Sequence, residues 1–593
     1  MLMDISKNFQ IIPKPKTTEL SNELIDFNPN LIRIGTDETL PPEGYRIDIS
    51  QEQIVISSKD KSGEFYGRQS LEQLVNKSEK STGVIPTGHI KDWPSIKTRG
   101  VMLDISRSKI PTIDELFSII DLLAVLKYNH LELYTEHTFA YSNHKTVWEN
   151  SSPYTSEEIL QIKAYCTTKM IELTPNQNTL GHMERWLIHD RYKSLGLKIG
   201  NVLSPYGLMR PATTIDPENP EARALVRELL GELMPLFDSD KVNIGLDEPF
   251  EMESSNHATW GGYLTYLRNL SAVDNKQLLI WSDMLNIYPD LIDYVPDGTT
   301  VVEWGYEYNS PFSRNLSRFS EKSLDHWVAP GTSSWLSITG RMSNCLENIR
   351  NAVINAEDYG SSGFLNTDWG DFGHLQWWPI SLPGIIIGGE LSWGGKQRAI
   401  AFNIEDLVDA IATIVFKKHK SPRKSAQLLT DVCEINCHIS SPFPNLSILA
   451  LSLYLPQLHV GSGLTTNLTE QEVKECLGSI EDIAVGLNST ESDDTTIQLR
   501  SSVKLMKTVL ADNLFRLQGT GHVKDLSSNN RKFLSTAIDE VIEEHRTFWS
   551  RYFRPGGMTE SLEWLNHIKE TYDSGFADPA WSGPLKCLHS AQS

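Results

Sequence analysis

Six cysteines in 593 residues, none of them in a CxxC pair, give this chain neither a disulfide framework nor a zinc-ligand spacing. Cys433 and Cys437 stand one helical turn apart, a spacing that suits packing better than metal binding. Long hydrophobic runs are missing as well. No segment offers ~18 uninterrupted apolar residues, so no membrane span is read. The opening stretch, MLMDISKNFQIIPKPK, holds no apolar run of signal-peptide length, and a cytoplasmic location is the expectation that follows. Positive charge is scarce: 54 Lys and Arg against 76 Asp and Glu leave a net charge of −22, the opposite of the basic footprint that nucleic acid demands. There is no HExxH and no GxGxxG after the first central apolar run, so no metal or organic cofactor is expected. The chain is rich in Trp, with 15. Each could simply pack in a core, but the broad apolar face of an indole also stacks on the C–H bonds of a sugar ring.

The length is too great for one core, and two to four domains are expected. Residues 1–95 read as a small α/β unit, with strand-like LIRIG, YRIDIS and QIVIS before the helical GEFYGRQSLEQLVNK. IKDWPSIKTRG reads as a linker. Residues 96–398 alternate: VMLDIS, HLELYT, MIELTP, VNIGLDE, LLIWSD, TVVEWGY, DHWVAPG and GFLNTDWGD are short apolar runs, most of them separated by amphipathic stretches such as TSEEILQIKAYCTTK. Eight such repeats predict a (β/α)8 TIM barrel, with a doubly wound open sheet as the alternative. Residues 399–593 read as an α-helical domain, from stretches such as IEDLVDAIATIVFKKH and TIQLRSSVKLMKTVLADNLFRL.

Polar and aromatic residues gather where the runs end, which in such a barrel is the active-site face. Asp247 and Glu248 stand side by side at the end of the fourth. Like charges in a partly dry site repel, which suits a pair in which one carboxyl keeps its proton and the other stays ionised. The plainer reading is a solvated acidic loop, since Glu251 and Glu253 follow. Around the other ends lie Arg99 and Asp104, Glu136, His182, Trp281, Trp304 and Tyr306, Trp335, and Trp369, Asp371 and His374. Trp walls, an Arg and carboxylates describe a pocket for an uncharged polyol ring. Each has a plainer alternative: Arg99 could pair with Asp104, His182 could cap a helix, Trp281 and Trp304 could be core, and His374 could only pack.

The motifs GEFYGRQSLEQL, DWPSIKTRGVMLDISR, YTSEEILQIKAYCTTKMIELTPNQNTLGHME and IGLDE resemble glycoside hydrolase family 20, the β-N-acetylhexosaminidases, over roughly residues 60–385. TLGHMERWL, DEPFEM and IWSDML are closest in form to the hexosaminidase D-like branch and related bacterial enzymes. RYFRPGGMTESLEWL resembles helical domains attached to such bacterial enzymes. The resemblance implies a retaining exo-enzyme whose nucleophile is the substrate's own acetamido oxygen, through an oxazoline. It makes Glu248 the general acid and Asp247 the holder of the acetamido N–H. It places Arg99 on the ring hydroxyls, with Glu136, His182 and Asp371 as further contacts, and gives Trp281, Trp304 and Trp369 the acetamido cage. Three departures stand out. The usual Trp-x-Glu is Trp369-Gly370-Asp371. The usual seventh-strand Tyr is missing from WVAPGTSSW, with Tyr306 as a substitute. The second-strand loop TEHTFAYSNHKTVWENSSPY lacks the common Thr-Asp-Asp.

The expected partner is a glycan or glycoconjugate carrying terminal N-acetylglucosamine or N-acetylgalactosamine. Nucleic acid and membrane are excluded as partners, and a homodimer is left open. Two rivals remain: a non-catalytic glycan-binding barrel, and a glycosidase for a modified, for example sulfated, amino sugar. Fold alone decides between none of these.

Overall fold

The protein is described by a computed structural model covering residues 9–75, 83–203, 209–253, 256–581 and 583. Its N-terminal part is a five-stranded sheet of β1 (Thr17–Asp26), β2 (Ile32–Thr36), β3 (Tyr45–Ile49), β4 (Ile54–Ser58) and β5 (Val84–Asp92), in the order β1-β5-β3-β4-β2. Tyr45, Ile47 and Ile49 alternate inward on β3 and pack with Tyr66, Leu71 and Leu74 of the helix Lys61–Val75. The three expected strands correspond to β2, β3 and β4. The outer pair carries no such alternation: β1 is mostly exposed, and β5 contains Pro86 and Gly88. The expected linker proves shorter, because Ile90–Asp92 belongs to β5 and Thr98 already opens the next sheet, leaving residues 93–97 between them.

That sheet is the barrel. Its strands are β6 (Thr98–Asp104), β7 (His130–Tyr134), β8 (Glu172–Thr174), β11 (Lys241–Asn243), β12 (Gln277–Trp281), β13 (Thr299–Trp304), β14 (Asp325–Ala329) and β15 (Gly363–Asp368). A small hairpin, β9 (Asn201–Leu203) with β10 (Met209–Pro211), rises between β8 and β11. All neighbours pair in parallel in the order β11-β12-β13-β14-β15-β6-β7-β8. The ring is completed by one bridge, Asn176 to Asn243, where Gln177 N donates to Asn243 O at 3.0 Å and Asn243 N donates to Pro175 O at 2.9 Å. Beneath it the buried Glu132 carboxylate accepts from both Asn176 Nδ2 (2.8 Å) and Asn243 Nδ2 (2.9 Å). Each of the eight apolar runs is therefore a barrel strand.

Helices cover the outside for the expected reason, an apolar face at 3.6-residue spacing. Ser156–Thr168 starts in a capping box of Thr155 and Glu158, and Ile113–Val125 in a Thr112 cap. Trp378–Ala401 is two helical pieces broken at Gly395 (φ 75°), close to the expected domain boundary at 398/399. The C-terminal helices then fold back over the open end of the barrel. Arg554 N donates to Ile110 O (2.8 Å), Thr112 N to Tyr552 O (2.9 Å) and Gly556 N to Ser152 Oγ (3.0 Å). Lys109 donates to Gln376 O at 2.7 Å while its ammonium lies 4.0 Å from the Trp377 ring and 5.1 Å from Phe553. Arg185 pairs with Glu560, and Trp564 stacks on Phe372 at 5.1 Å.

Five cysteines are free thiols, and Cys587 lies outside the described residues. Among the described residues no helix is long and apolar enough to cross a membrane.

Candidate active site

The carboxyl ends of the strands bring most of the expected residues together. β11 is only three residues long, and beyond it the chain turns through left-handed conformations at Gly245 (φ 71°), Leu246 (φ 73°) and Glu248 (φ 45°). Gly245 suits that turn twice over, since a Cβ there would also lie 2.3 Å from Asn178 Oδ1. The turn sends Asp247 and Glu248 in different directions. Asp247 is buried; Glu248 keeps 26% of its side chain exposed.

The two carboxyls differ in environment. Burial by itself would push Asp247 up. The His182 ring, with Nε2 at 3.1 Å, and the Asn178 amide at 3.1 Å overcome it and hold the carboxyl below its ordinary range. Burial pushes Glu248 up; His182 and Arg107 oppose the shift, while the charges of Asp247 and Asp371 add to it. His182 Nε2 stands 3.4 Å from Glu248 Oε2, so one imidazole touches both. Burial works against a charged ring there, yet Asp247 drives His182 up to about 10. The Gly-His loop can approach this closely because residue 181 is glycine: a Cβ on Gly181 would sit 2.2 Å from Asp247 O.

Arg99 is not in the site. It lies at the opposite end of β6, five residues and roughly 16 Å before Asp104 at the rise of a strand. There it is fully buried, pairs with Glu43 of the N-terminal sheet at 2.7 Å, donates to Lys127 O and Ile96 O at 2.9 Å, and faces the Trp393 ring at 4.9 Å. Nor does it partner Asp104, since an odd offset along a strand points the two to opposite faces. Arg107 occupies the pocket instead. Its Nη1 lies 3.3 Å from Asp104, its Nη2 3.0 Å from Glu136, and its Nε 3.7 Å from Asp371. The guanidinium lies over Tyr134 (4.8 Å) and Trp369 (5.1 Å). It also stands 3.3 Å from His182 Nδ1, which accepts from it when the ring is neutral.

Glu136 accepts from Tyr134 Oη at 3.0 Å, and burial pushes it up to about 7 against the pull of Arg107. Asp371 keeps 35% of its side chain exposed at the rim. The aromatic wall is continuous. Trp281 and Trp369 have ring centres 6.4 Å apart, Tyr306 lies 6.5 Å from Trp369, and Trp304 stacks on Tyr306 at 5.3 Å. Trp335 meets the Tyr306 edge at 5.2 Å. The indole N–H of Trp281 is buried without a protein partner, a donor aimed at nothing the protein supplies. His374 is half-buried outside this wall: its lowered pKa comes first from burial, then from the charge of Lys109. The sequence reading gives Arg107, Tyr134, Asn178 and Asp283 no role, and Trp335 only a place at a strand end. For Tyr134, Asn178 and Asp283, their position at or soon after a strand end is the signal that could find them. No group of three or more His, Cys, Asp or Glu among the described residues is arranged to hold a metal ion.

Residues 12–93 match the family model described as glycosyl hydrolase family 20, domain 2, and residues 97–340 match the one described as glycosyl hydrolase family 20, catalytic domain. The chain belongs to glycoside hydrolase family 20. Within this family it is 26% identical over 273 residues to a beta-hexosaminidase of Akkermansia muciniphila, a match covering 41% of this chain and 53% of that protein. It is 28% identical over 223 residues to the beta-hexosaminidase subunit alpha of Mus musculus, covering 35% and 40%. The chain thus spans about half the length of the curated relatives it matches. Its fold is that of a solved exo beta-N-acetylglucosaminidase of Vibrio harveyi (TM-score 0.56, 15% identity, 72% of this chain and 78% of that one). A beta-N-acetylhexosaminidase of Streptomyces coelicolor shares it too (TM-score 0.55, 17% identity, 71% and 96%). The family models end at residue 340, so they leave out the eighth strand with Trp369 and Asp371, and the C-terminal helices that brace it.

Proposed function

We propose that this family 20 chain is a retaining exo-β-N-acetylhexosaminidase that removes terminal β-linked N-acetylglucosamine or N-acetylgalactosamine with the help of the substrate's own acetamido group. The observation that carries the reading is the asymmetry of Asp247 and Glu248. One is held ionised by His182 and Asn178, and its neighbour is held toward its protonated form and keeps a solvent-facing side. Glu248 donates its proton to the glycosidic oxygen as the bond to the aglycone breaks. Asp247 accepts from the acetamido N–H, which turns the carbonyl oxygen toward the anomeric carbon and supports the positive charge of the oxazolinium ring. Glu248, now ionised, takes a proton from the water that opens that ring, and the anomeric configuration is retained. Trp281, Trp304 and Trp369 enclose the acetamido methyl and the sugar face. Tyr306 stands where it can steady the carbonyl, and Arg107, with Glu136 and Asp371, takes the ring hydroxyls. Two of the named relatives are beta-hexosaminidases, and the Vibrio harveyi structure is a complex with N-acetylglucosamine, which agrees with this substrate.

Chromogenic β-glycosides of N-acetylglucosamine, N-acetylgalactosamine and glucose, compared side by side, test it. Cleavage of either acetamido sugar with the glucoside untouched supports the reading. Efficient cleavage of the glucoside, or a fluorosugar trapped on a side-chain carboxylate, would make the enzyme an ordinary double-displacement glycosidase.

A further inference from the structure

A third carboxylate lies against the pair. Asp283 follows Trp281 at the end of β12, the strand next to β11, and opens the short helix Asp283–Ile287. Its Oδ2 accepts from the main-chain N–H of Glu248 at 2.9 Å. Its Oδ1 is buried with no hydrogen-bond partner of good geometry. We propose that Asp283 is a positioning residue of this site, which fixes the main chain of the proton donor and ties it to the wall that receives the acetamido group. The inference rests on the activity read above.

Three observations support it. Glu248 sits at φ 45°, a conformation that side-chain-bearing residues avoid and that persists only where surroundings enforce it. The Asp283 carboxylate supplies the hydrogen bond to that residue's own amide. Second, a charge is a poor choice for bracing alone. Burying a carboxylate beside two others is costly, and Asn or Ser would accept the same amide without that penalty. Third, Asp283 is connected on both sides. Asp247 and Glu248 face it from the turn after β11, and the Trp304 indole at the end of β13 acts on its carboxyl from the other side. Burial first, then the charge of Asp247, push its carboxyl up to about 7. Above that value its negative charge adds to that of Asp247 and keeps the proton on Glu248 to higher pH.

The experiment uses Asp283→Ala and Asp283→Asn in the full chain, with N-acetylglucosaminides whose leaving groups differ in acidity. For the alanine variant kcat should fall about 10²-fold on a poor leaving group and about tenfold on an activated one, with KM changed by less than about threefold. Asn keeps an acceptor for the Glu248 amide, so it should stay within about fivefold of the wild type, while the alkaline limb of its kcat profile moves to lower pH. Equal losses on every leaving group with an unmoved limb would reduce Asp283 to a structural residue and overturn the proposal. So would an alanine variant with wild-type kinetics. A crystal structure of Asp283→Ala gives a readout independent of turnover: the Glu248 turn should relax and its carboxyl move, and a Glu248 that stays in place would overturn the proposal. Should the wild type cleave no glycoside, the functional reading fails by itself, and the position of Glu248 in that crystal still decides the role of Asp283. If the alanine variant does not fold, the asparagine variant's limb carries the decision alone.

Discussion

Asp247 and Glu248 share a turn of backbone but not an environment, and replacing either should have its own signature. Glu248→Gln keeps the shape and removes the proton. Turnover on poor leaving groups should drop by roughly 10²–10⁴, with less loss on activated aryl glycosides, measured by kcat across a leaving-group series. Asp247→Asn should weaken inhibition by a thiazoline analogue of the cyclised intermediate together with catalysis, because the amide loses the charge that pairs with the ring. The two arginines separate just as cleanly. Arg107→Met should lower kcat/KM by about 10²-fold, since it leaves Asp104, Glu136 and Asp371 without their cation in a dry pocket. Arg99→Met should leave KM alone and lower the melting temperature, because Arg99 joins the barrel to the N-terminal sheet through Glu43. The pair Asp247 and Glu248 was legible as a candidate because two adjacent carboxylates at a strand end are hard to explain otherwise. Arg107 was not, since it stands three residues beyond the strand, where spacing no longer fixes which way a side chain points. A shared strand made Arg99 the more obvious choice, and only the register shows that its end is the wrong one.

At the scale of elements, the barrel strands could be read because each carries a short apolar run bounded by polar residues and is buried on both faces, as a strand covered by helices must be. β1 and β5 could not, because one is solvated and the other carries Pro86 and Gly88. The loops after the strands are fixed by close approach instead of by pattern. Gly181→Ala tests one of these approaches. Its methyl would fall 2.2 Å from Asp247 O and push the His182 loop away from the pair. Activity should drop about 10²-fold or more while circular dichroism of the barrel stays unchanged. His182 also links this loop to pH. Its folded value is raised above the unfolded one, so the stability it confers is complete below about 6.5 and is lost as pH rises toward about 10. Melting temperature should therefore fall between pH 7 and 10, and more gently in His182→Gln.

At the scale of the whole molecule, the C-terminal helices belong to the site as much as to the fold. They hold the loop of Arg107 through Lys109 over Phe553 and through Ile110, the loop of His182 through Arg185 and Glu560, and the loop of Asp371 through Trp564. Glu560→Gln and Trp564→Ala touch no substrate, yet both should raise KM several-fold at an unchanged secondary-structure content, as measured by initial rates. The barrel itself carries an uneven seam. Seven of its joints are strand ladders, whereas β8 and β11 meet at a single bridge, Asn176 to Asn243, directly below Asp247 and Glu248. A closed ring of strands has no free edge except where its last stitch is undone. The place that can open at the lowest cost then lies beneath the proposed site, so the amides of residues 241–248 should exchange with deuterium well before those of β6 and β15. A bound inhibitor lying across that seam should slow the exchange there more than anywhere else in the chain.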